Sequence, residues 1–327
     1  MDHQTILTRA LNARVREVLP DPTPLTRATI LSERVGRQVL LKREDLTPIF
    51  SFKLRGAYNR ISLLDDAEKS RGVIAASAGN HAQGVAYSAR LLGIDARVVM
   101  PRTTPQIKVD AVRRQGAQVM LAGDDYSEAK MTCARVVAEN GMTLIPGYDD
   151  VDVIAGVATI ALEILRQAPD DLGSIFVPIG GGGLAGGVAA VIKAVRPEIK
   201  VFGVEPDDSD AMTQSIRAGH RVTLDRVGSF ADGVAVRMVG ETTFALCRDY
   251  LDGCITVGVD EICASIRDVF EDTRAILEPA GALSVAGLKR LAASDGVPPG
   301  SAVAIASGAN VDFERLASIA ARITGAK

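Results

Sequence analysis

Ser174-Ile-Phe-Val-Pro-Ile179-Gly180-Gly-Gly-Gly183-Leu184-Ala-Gly-Gly187 decides the architecture. A compact apolar run breaks on four glycines and resumes as a helical pattern, which is the strand, turn and helix of an α/β unit. Glycines present no side chains, so several N–H groups of this turn can point at one anion while the helix N-terminus adds its dipole. The result is a phosphate cradle. Downstream, Lys200 to Glu205 reads as the next strand, and the alternation runs on to Ala302-Val-Ala-Ile-Ala306. Upstream, a helix spans about Ile154 to Gln167. Before it, three apolar runs (Val73 to Ala76, Ala96 to Met100, Ala117 to Leu121) each precede a helical pattern, near Asn80 to Leu92, Pro105 to Gln115 and Tyr126 to Asn140. A short strand over Gln38 to Lys42 can join the later sheet. The fold expected is α/β with two mostly parallel sheets: residues 1–66 and 149–327 form a large domain, 67–148 a smaller inserted one, and a cleft lies between them.

The 327 residues are 47% hydrophobic but only 4% aromatic, with no Trp, so the interior is built from Ala, Val, Ile and Leu in the manner of buried parallel strands. The 37 basic and 40 acidic residues are intermixed with no basic stripe, which argues against nucleic acid. Cys133, Cys247, Cys254 and Cys263 lack metal-ligand spacing and fit reduced thiols in a packing role. Met1 to Leu19 is interrupted by Arg9, Arg14, Arg16 and Glu17, unlike a secretory leader. No segment has the ~20 uninterrupted apolar residues of a membrane span. A cytoplasmic protein with no membrane partner is expected.

Lys53 stands in Ser51-Phe52-Lys53-Leu54-Arg55-Gly56-Ala57, between a charged stretch and a helical pattern. Ser51 is the expected N-cap, Phe52 offers an aromatic face, and first-turn N–H groups hold down an ammonium's pKa, the conditions for a Schiff-base nucleophile. Ser77-Ala78-Gly79-Asn80-His81 follows the strand ending at Ala76 and opens a helix. Its N–H cluster, with amide and imidazole donors, suits a substrate carboxylate. Gly181-x-Gly183-x-x-Gly186 with Glu205 also satisfies a dinucleotide fingerprint, so an NAD-dependent dehydrogenase is the rival reading, and a metabolite-binding protein without catalysis is another. A monophosphate site beside a poised lysine calls instead for pyridoxal phosphate.

The motifs at 51–57, 77–81 and 180–183, followed by Asp232-Gly-Val-Ala235, Glu278-Pro-Ala-Gly281 and Ser307-Gly-Ala-Asn310, closely resemble in order and spacing the threonine dehydratase and serine racemase group of fold-type-II pyridoxal-phosphate enzymes, which share the tryptophan synthase β-like fold. The resemblance spans roughly Pro24 to Asn310. It implies that Lys53 carries the cofactor on its amine, that Phe52 and Gly233 flank the ring, and that Gly180, Gly181, Gly182, Gly183 and Leu184 hold the phosphate. Asn80 would bond the phenolic oxygen, Ser307 would face the pyridine nitrogen with Glu278 nearby, and Ser77, Ala78, Gly79, Asn80 and His81 would take the substrate carboxylate. The implied reaction is removal of the α-proton by Lys53 and loss of the β-hydroxyl, turning L-threonine, and also L-serine, into a keto acid and ammonia. A neutral Ser307 makes the ring a weaker electron sink and favours elimination over transamination. Ala78 stands where racemases carry a serine, so a dehydratase is expected over a racemase.

Three departures from the family pattern accompany this. Racemase-like members bind a divalent ion with an acid at the Glu205 position and another six residues on; here that second position is Ala211, so no metal is expected, with Glu205 the candidate ligand and Asp207, Asp208 and Asp210 the acids that could substitute for the missing one. Val157-Ala158 replaces the usual Gln-Gly, and Tyr148-Asp149-Asp150-Val151-Asp152 replaces a more usual Phe-Asp-His-Pro. The chain ends soon after Asn310, from which no isoleucine inhibition through an appended effector module is expected. Apolar faces around 262–275 and 281–292 fit a homodimer or homotetramer.

Overall fold

The computed structural model describes residues 1–324. From the N-terminus come α1 (His3–Leu11), β1 (Leu25–Arg27), α2 (Thr29–Val35), β2 (Val39–Arg43), α3 (Lys53–Ser62) and α4 (Asp66–Arg71). Next are β3 (Val73–Ala76), α5 (Asn80–Leu91), β4 (Ala96–Met100), α6 (Gln106–Arg114), β5 (Gln118–Leu121), α7 (Tyr126–Asn140) and β6 (Thr143–Leu144). The remainder is α8 (Val151–Gln167), β7 (Leu172–Pro178), α9 (Gly183–Val195), β8 (Lys200–Pro206), α10 (Ala211–Ala218), α11 (Glu241–Tyr250), β9 (Gly253–Val257), α12 (Val259–Thr273), α13 (Pro279–Ala292), β10 (Ser301–Ala306) and α14 (Arg315–Thr324).

Two sheets result, ordered β1-β2-β10-β7-β8-β9 and β5-β4-β3-β6. Every pairing is parallel except β1 with β2 at the edge of the larger sheet. Every residue of β2 and β10 is buried, as central parallel strands covered on both faces must be. One apolar cluster packs α1, α8, α9 and α11 on one face of the large sheet, and a second packs α12 and α13 on the other. The small sheet is covered by α3, α5 and α6 on one side and α7 on the other.

Two local readings differ from expectation. The small sheet has a fourth strand, β6, whose two residues pair with Val73 and Ile74 and are too few to carry a periodicity. And α3 begins at Lys53 with Phe52, already helical at φ −56° and ψ −20°, in the N-cap place. Ser51 thus stands one residue before the N-cap place; its Oγ accepts from the Lys53 N–H at 3.4 Å, while its own N–H and C=O both bond the Thr47 hydroxyl at 2.9 Å.

Candidate active site

The strand order puts β2, β10 and β7 side by side and parallel, so the segments leaving their C-terminal ends converge. These are the Lys53 loop, the turn from Ser307 and the glycine turn. The Lys53 loop runs antiparallel to the Ser307 turn and is stitched to it: Phe52 N–H donates to the Ser307 carbonyl at 3.1 Å, and Ala309 N–H to the Phe50 carbonyl at 2.9 Å. Phe50, between them, is held at φ +56°, where a non-glycine residue stays only if its surroundings fix it. Behind the loop, α3 meets α8 backbone to backbone: a Cβ on Gly56 would lie 2.8 Å from the Val153 carbonyl, and one on Gly156 2.5 Å from the Arg55 carbonyl.

Lys53 is half-buried, its Nζ 5.1 Å from the Phe52 ring centroid and donating to the Gly147 carbonyl at 2.6 Å. Removal from water pulls its pKa down to about 8, against the opposing charge of Glu278. Such an amine has a substantial free-base fraction near neutrality, as a nucleophile or base needs.

The glycine turn opens α9. Thr243 donates its hydroxyl to the Gly181 carbonyl at 2.6 Å, and the Cys247 thiol reaches the Gly182 carbonyl at 3.6 Å, both from α11. In trans peptides the N–H points opposite the preceding C=O, so pinning these carbonyls to α11 turns the N–H groups of Gly182 and Gly183 toward the cleft. Gly182 has φ +93°, and a Cβ on Gly181 would fall 2.1 Å from the Tyr148 ring, which lies over the turn. Tyr148 is anchored by its hydroxyl to the Met238 carbonyl at 3.3 Å, and burial pushes its pKa up to about 12, so it is a neutral cover.

Phe52, Lys53, Asn80, Gly180 to Gly183, Leu184, Gly233, Glu278 and Ser307 all line one cleft. Tyr148 and Val157, two of the departures from the family pattern, line it too, as do Gly147, Val153 and Val236, which lie outside the motifs. Of the Ser77 to His81 turn, only Asn80 is among the lining residues; Ser77 Oγ accepts from Gly79 N–H at 3.3 Å within the turn. The His81 imidazole is directed to the Ile145 carbonyl at 2.8 Å rather than to the cleft. A carbonyl only accepts, so Nε2 carries the hydrogen, and burial with the nearby Lys53 charge lowers the His81 pKa to about 4.

Glu278 is buried, accepting from Asn80 Nδ2 at 2.6 Å and Asn310 N–H at 3.1 Å, and burial raises its pKa to about 7 despite those bonds. Glu205 accepts from Met212 N–H at 2.9 Å, Thr213 N–H at 2.8 Å and the Thr213 hydroxyl at 2.7 Å. Both its oxygens thus cap α10, and no cluster of three or more His, Cys, Asp or Glu suited to a metal occurs among the described residues. The acids after Tyr148 also have structural tasks: Asp149 caps α11 through Glu241 and Thr242, and Asp150 caps α8 through Asp152 and Val153.

The family described as pyridoxal-phosphate dependent enzyme matches residues 17–308. A biosynthetic L-threonine dehydratase of Burkholderia multivorans is 55% identical over 319 residues, 97% of this chain and 63% of that protein. Among solved structures, the processed form of threonine deaminase isoform 2 from Solanum lycopersicum superposes with TM-score 0.95 at 45% identity, covering 98% of this chain and 88% of that one. Maize serine racemase superposes at 0.89 with 32% identity, covering 99% of this chain and 98% of that one. The chain spans about half to under two thirds of the length of the curated relatives it matches.

Proposed function

The chain belongs to the pyridoxal-phosphate dependent enzymes of fold type II, and we propose that it deaminates L-threonine, and also L-serine, to 2-oxobutyrate or pyruvate and ammonia. The observation that carries the proposal is the meeting, in one cleft, of an amine with lowered pKa and a glycine turn whose carbonyls are tied back. Those two parts fit the two ends of pyridoxal phosphate, an aldehyde for Lys53 and a phosphate for the N–H groups of Gly180 to Leu184 at the head of α9. Phe52 and Gly233 border the intervening space. Ser307, Asn80 and Glu278 supply polar atoms around it.

When bound, the cofactor supplies an electron sink for the charge left at the substrate α-carbon. The chain's own residues bind the substrate, keep water out and move its α-proton. The N–H groups of Ala78, Asn80 and His81, at the head of α5, orient the substrate carboxylate, while those of Ser77 and Gly79 bond the Val99 carbonyl and the Ser77 hydroxyl and hold the turn in shape, with the His81 side chain held neutral behind them. Lys53 Nζ takes the α-proton, its lowered pKa keeping it competent near neutral pH. Tyr148, Val153, Val157 and Val236 limit water around the reacting atoms. Ala78 offers no second acid or base on the opposite face, in keeping with elimination over racemisation. Threonine as main substrate is favoured by the names of the relatives, which are biosynthetic threonine dehydratases.

The proposal extends to residues 67–148 as a small domain inserted in the large one, to a homodimer or homotetramer, and to a place in the cytoplasm. Borohydride treatment of the purified, yellow protein should fix a pyridoxyl mass on the peptide containing Lys53, and added L-threonine should yield 2-oxobutyrate. An adduct-free Lys53, or rapid conversion of L-serine to D-serine without keto acid, refutes it.

A further inference from the structure

Asn310 ties three segments of the cleft together. Its Nδ2 donates to the Ile49 carbonyl at 2.9 Å and to Asn80 Oδ1 at 2.7 Å, and its backbone N–H donates to Glu278 Oε2 at 3.1 Å. Asn80 completes the ring by donating Nδ2 to Glu278 Oε1 at 2.6 Å. Ile49 belongs to the loop that leads into Lys53, Asn80 opens α5 from the second sheet, and Glu278 precedes α13.

A primary amide has nearly the same shape when rotated by half a turn, so only its partners decide which end is oxygen. For Asn80 one orientation satisfies both neighbours: Oδ1 toward the Asn310 donor and Nδ2 toward the Glu278 acceptor. The reversed amide would set oxygen against the Glu278 carboxyl and NH2 against the Asn310 NH2. The allowed orientation leaves Asn80 one more N–H to offer to the cleft that it lines. Asn310 spends both amide hydrogens, so it offers the cleft no side-chain donor.

We propose that Asn310 is a positioning residue, fixing the orientation of Asn80 and thereby the donor that the cofactor meets. The claim rests on the reading that the cleft takes pyridoxal phosphate. Its test is a double-mutant cycle with Asn310→Ala, Asn80→Ala and the double variant. Absorbance titration of the cofactor-free proteins with pyridoxal phosphate should give dissociation constants raised about tenfold by either single change. The double variant should be little worse than Asn80→Ala. Multiplying effects, near a hundredfold, overturn the proposal, because a residue supporting the fold alone would act equally with or without the Asn80 amide. Asn310→Asp replaces a donor with an acceptor facing two acceptors and should bind no better than Asn310→Ala; wild-type affinity in that variant also overturns it.

Urea unfolding of the same four proteins without cofactor should show coupling between positions 80 and 310. Independence there refutes the network itself. Should Asn310→Ala not fold, Asn310→Ser takes its place in both cycles. A wild-type protein that takes up no pyridoxal phosphate refutes the functional reading instead, and the cofactor-free cycle alone then decides for or against the Asn310 network.

Discussion

Arg55→Met is expected to destabilise the cofactor-free protein by about 3–5 kcal/mol at pH 8, the usual cost of removing one partner from a buried ionic group. Arg55 is fully buried, on the first turn of α3, two residues past Lys53. Its guanidinium holds Glu44 through Nε at 2.7 Å and Nη2 at 2.9 Å, and Glu163 through Nη1 at 2.7 Å and Nη2 at 2.9 Å. Lys42 supplies the second positive charge, on Glu163, so two cations and two carboxylates balance. Methionine matches the stem but leaves one negative charge uncompensated in a dry site. The pH dependence gives the sharper check. Burial pushes the Glu163 pKa up, but Arg55 and then Lys42 outweigh it and leave the carboxyl below its usual value. A depressed folded pKa contributes stability above the unfolded value, about 4.3, and loses it as pH falls through the folded one. Without Arg55 the two buried carboxylates, Glu44 and Glu163, share the single charge of Lys42, and protonation of one of them relieves the stray charge as the solution is acidified. Urea unfolding of wild type and variant should therefore show a deficit that narrows from pH 8 to pH 5. A deficit below about 1 kcal/mol, or one equal at both pH values, would refute the reasoning.

Gly182→Ala places a Cβ 2.6 Å from the Met212 methyl on a backbone at φ +93°, so the turn must rearrange at about 1–2 kcal/mol for the left-handed conformation alone. Titration should show pyridoxal phosphate bound at least about tenfold more weakly, while unphosphorylated pyridoxal, which needs no cradle, changes little; equal losses for both would speak against a phosphate site. Burial raises the pKa of Glu205 and of Glu278 to about 7. The folded chain thus keeps protons that the unfolded chain releases, and this contribution is full below about pH 4.3 and is lost as pH rises through 7. Calorimetric unfolding of the cofactor-free protein at pH 6 in two buffers of different ionisation enthalpy should register proton release on unfolding, and its absence would contradict the two buried acids.

Much of this was legible in the sequence because the signals are local. Val73 to Ala76, Ala96 to Met100 and the helix Tyr126–Asn140 stand where their apolar periodicity sets them, and β2 does enter the later sheet beside β10. The glycine turn and Ser307 each follow a strand directly, and the Lys53 loop leaves β2 through the short turn Glu44–Leu46, so each motif carries its own structural context. What stayed hidden depends on partners far apart in the chain. Asn310 bonds Asn80 across 230 positions and Ile49 across 261, and Arg55 reaches Glu163 across 108. No window of sequence contains such a pair. His81 and Glu205 illustrate the converse. Their residue types suggested a substrate donor and a metal ligand, but the structure gives the imidazole a carbonyl and the carboxylate a helix N-terminus. The type of a polar residue states what it can bond, and only its neighbours state what it does bond. Asn310, whose every donor is directed at the residues framing the cleft, is for that reason a stronger candidate for positioning than the motif containing it conveys.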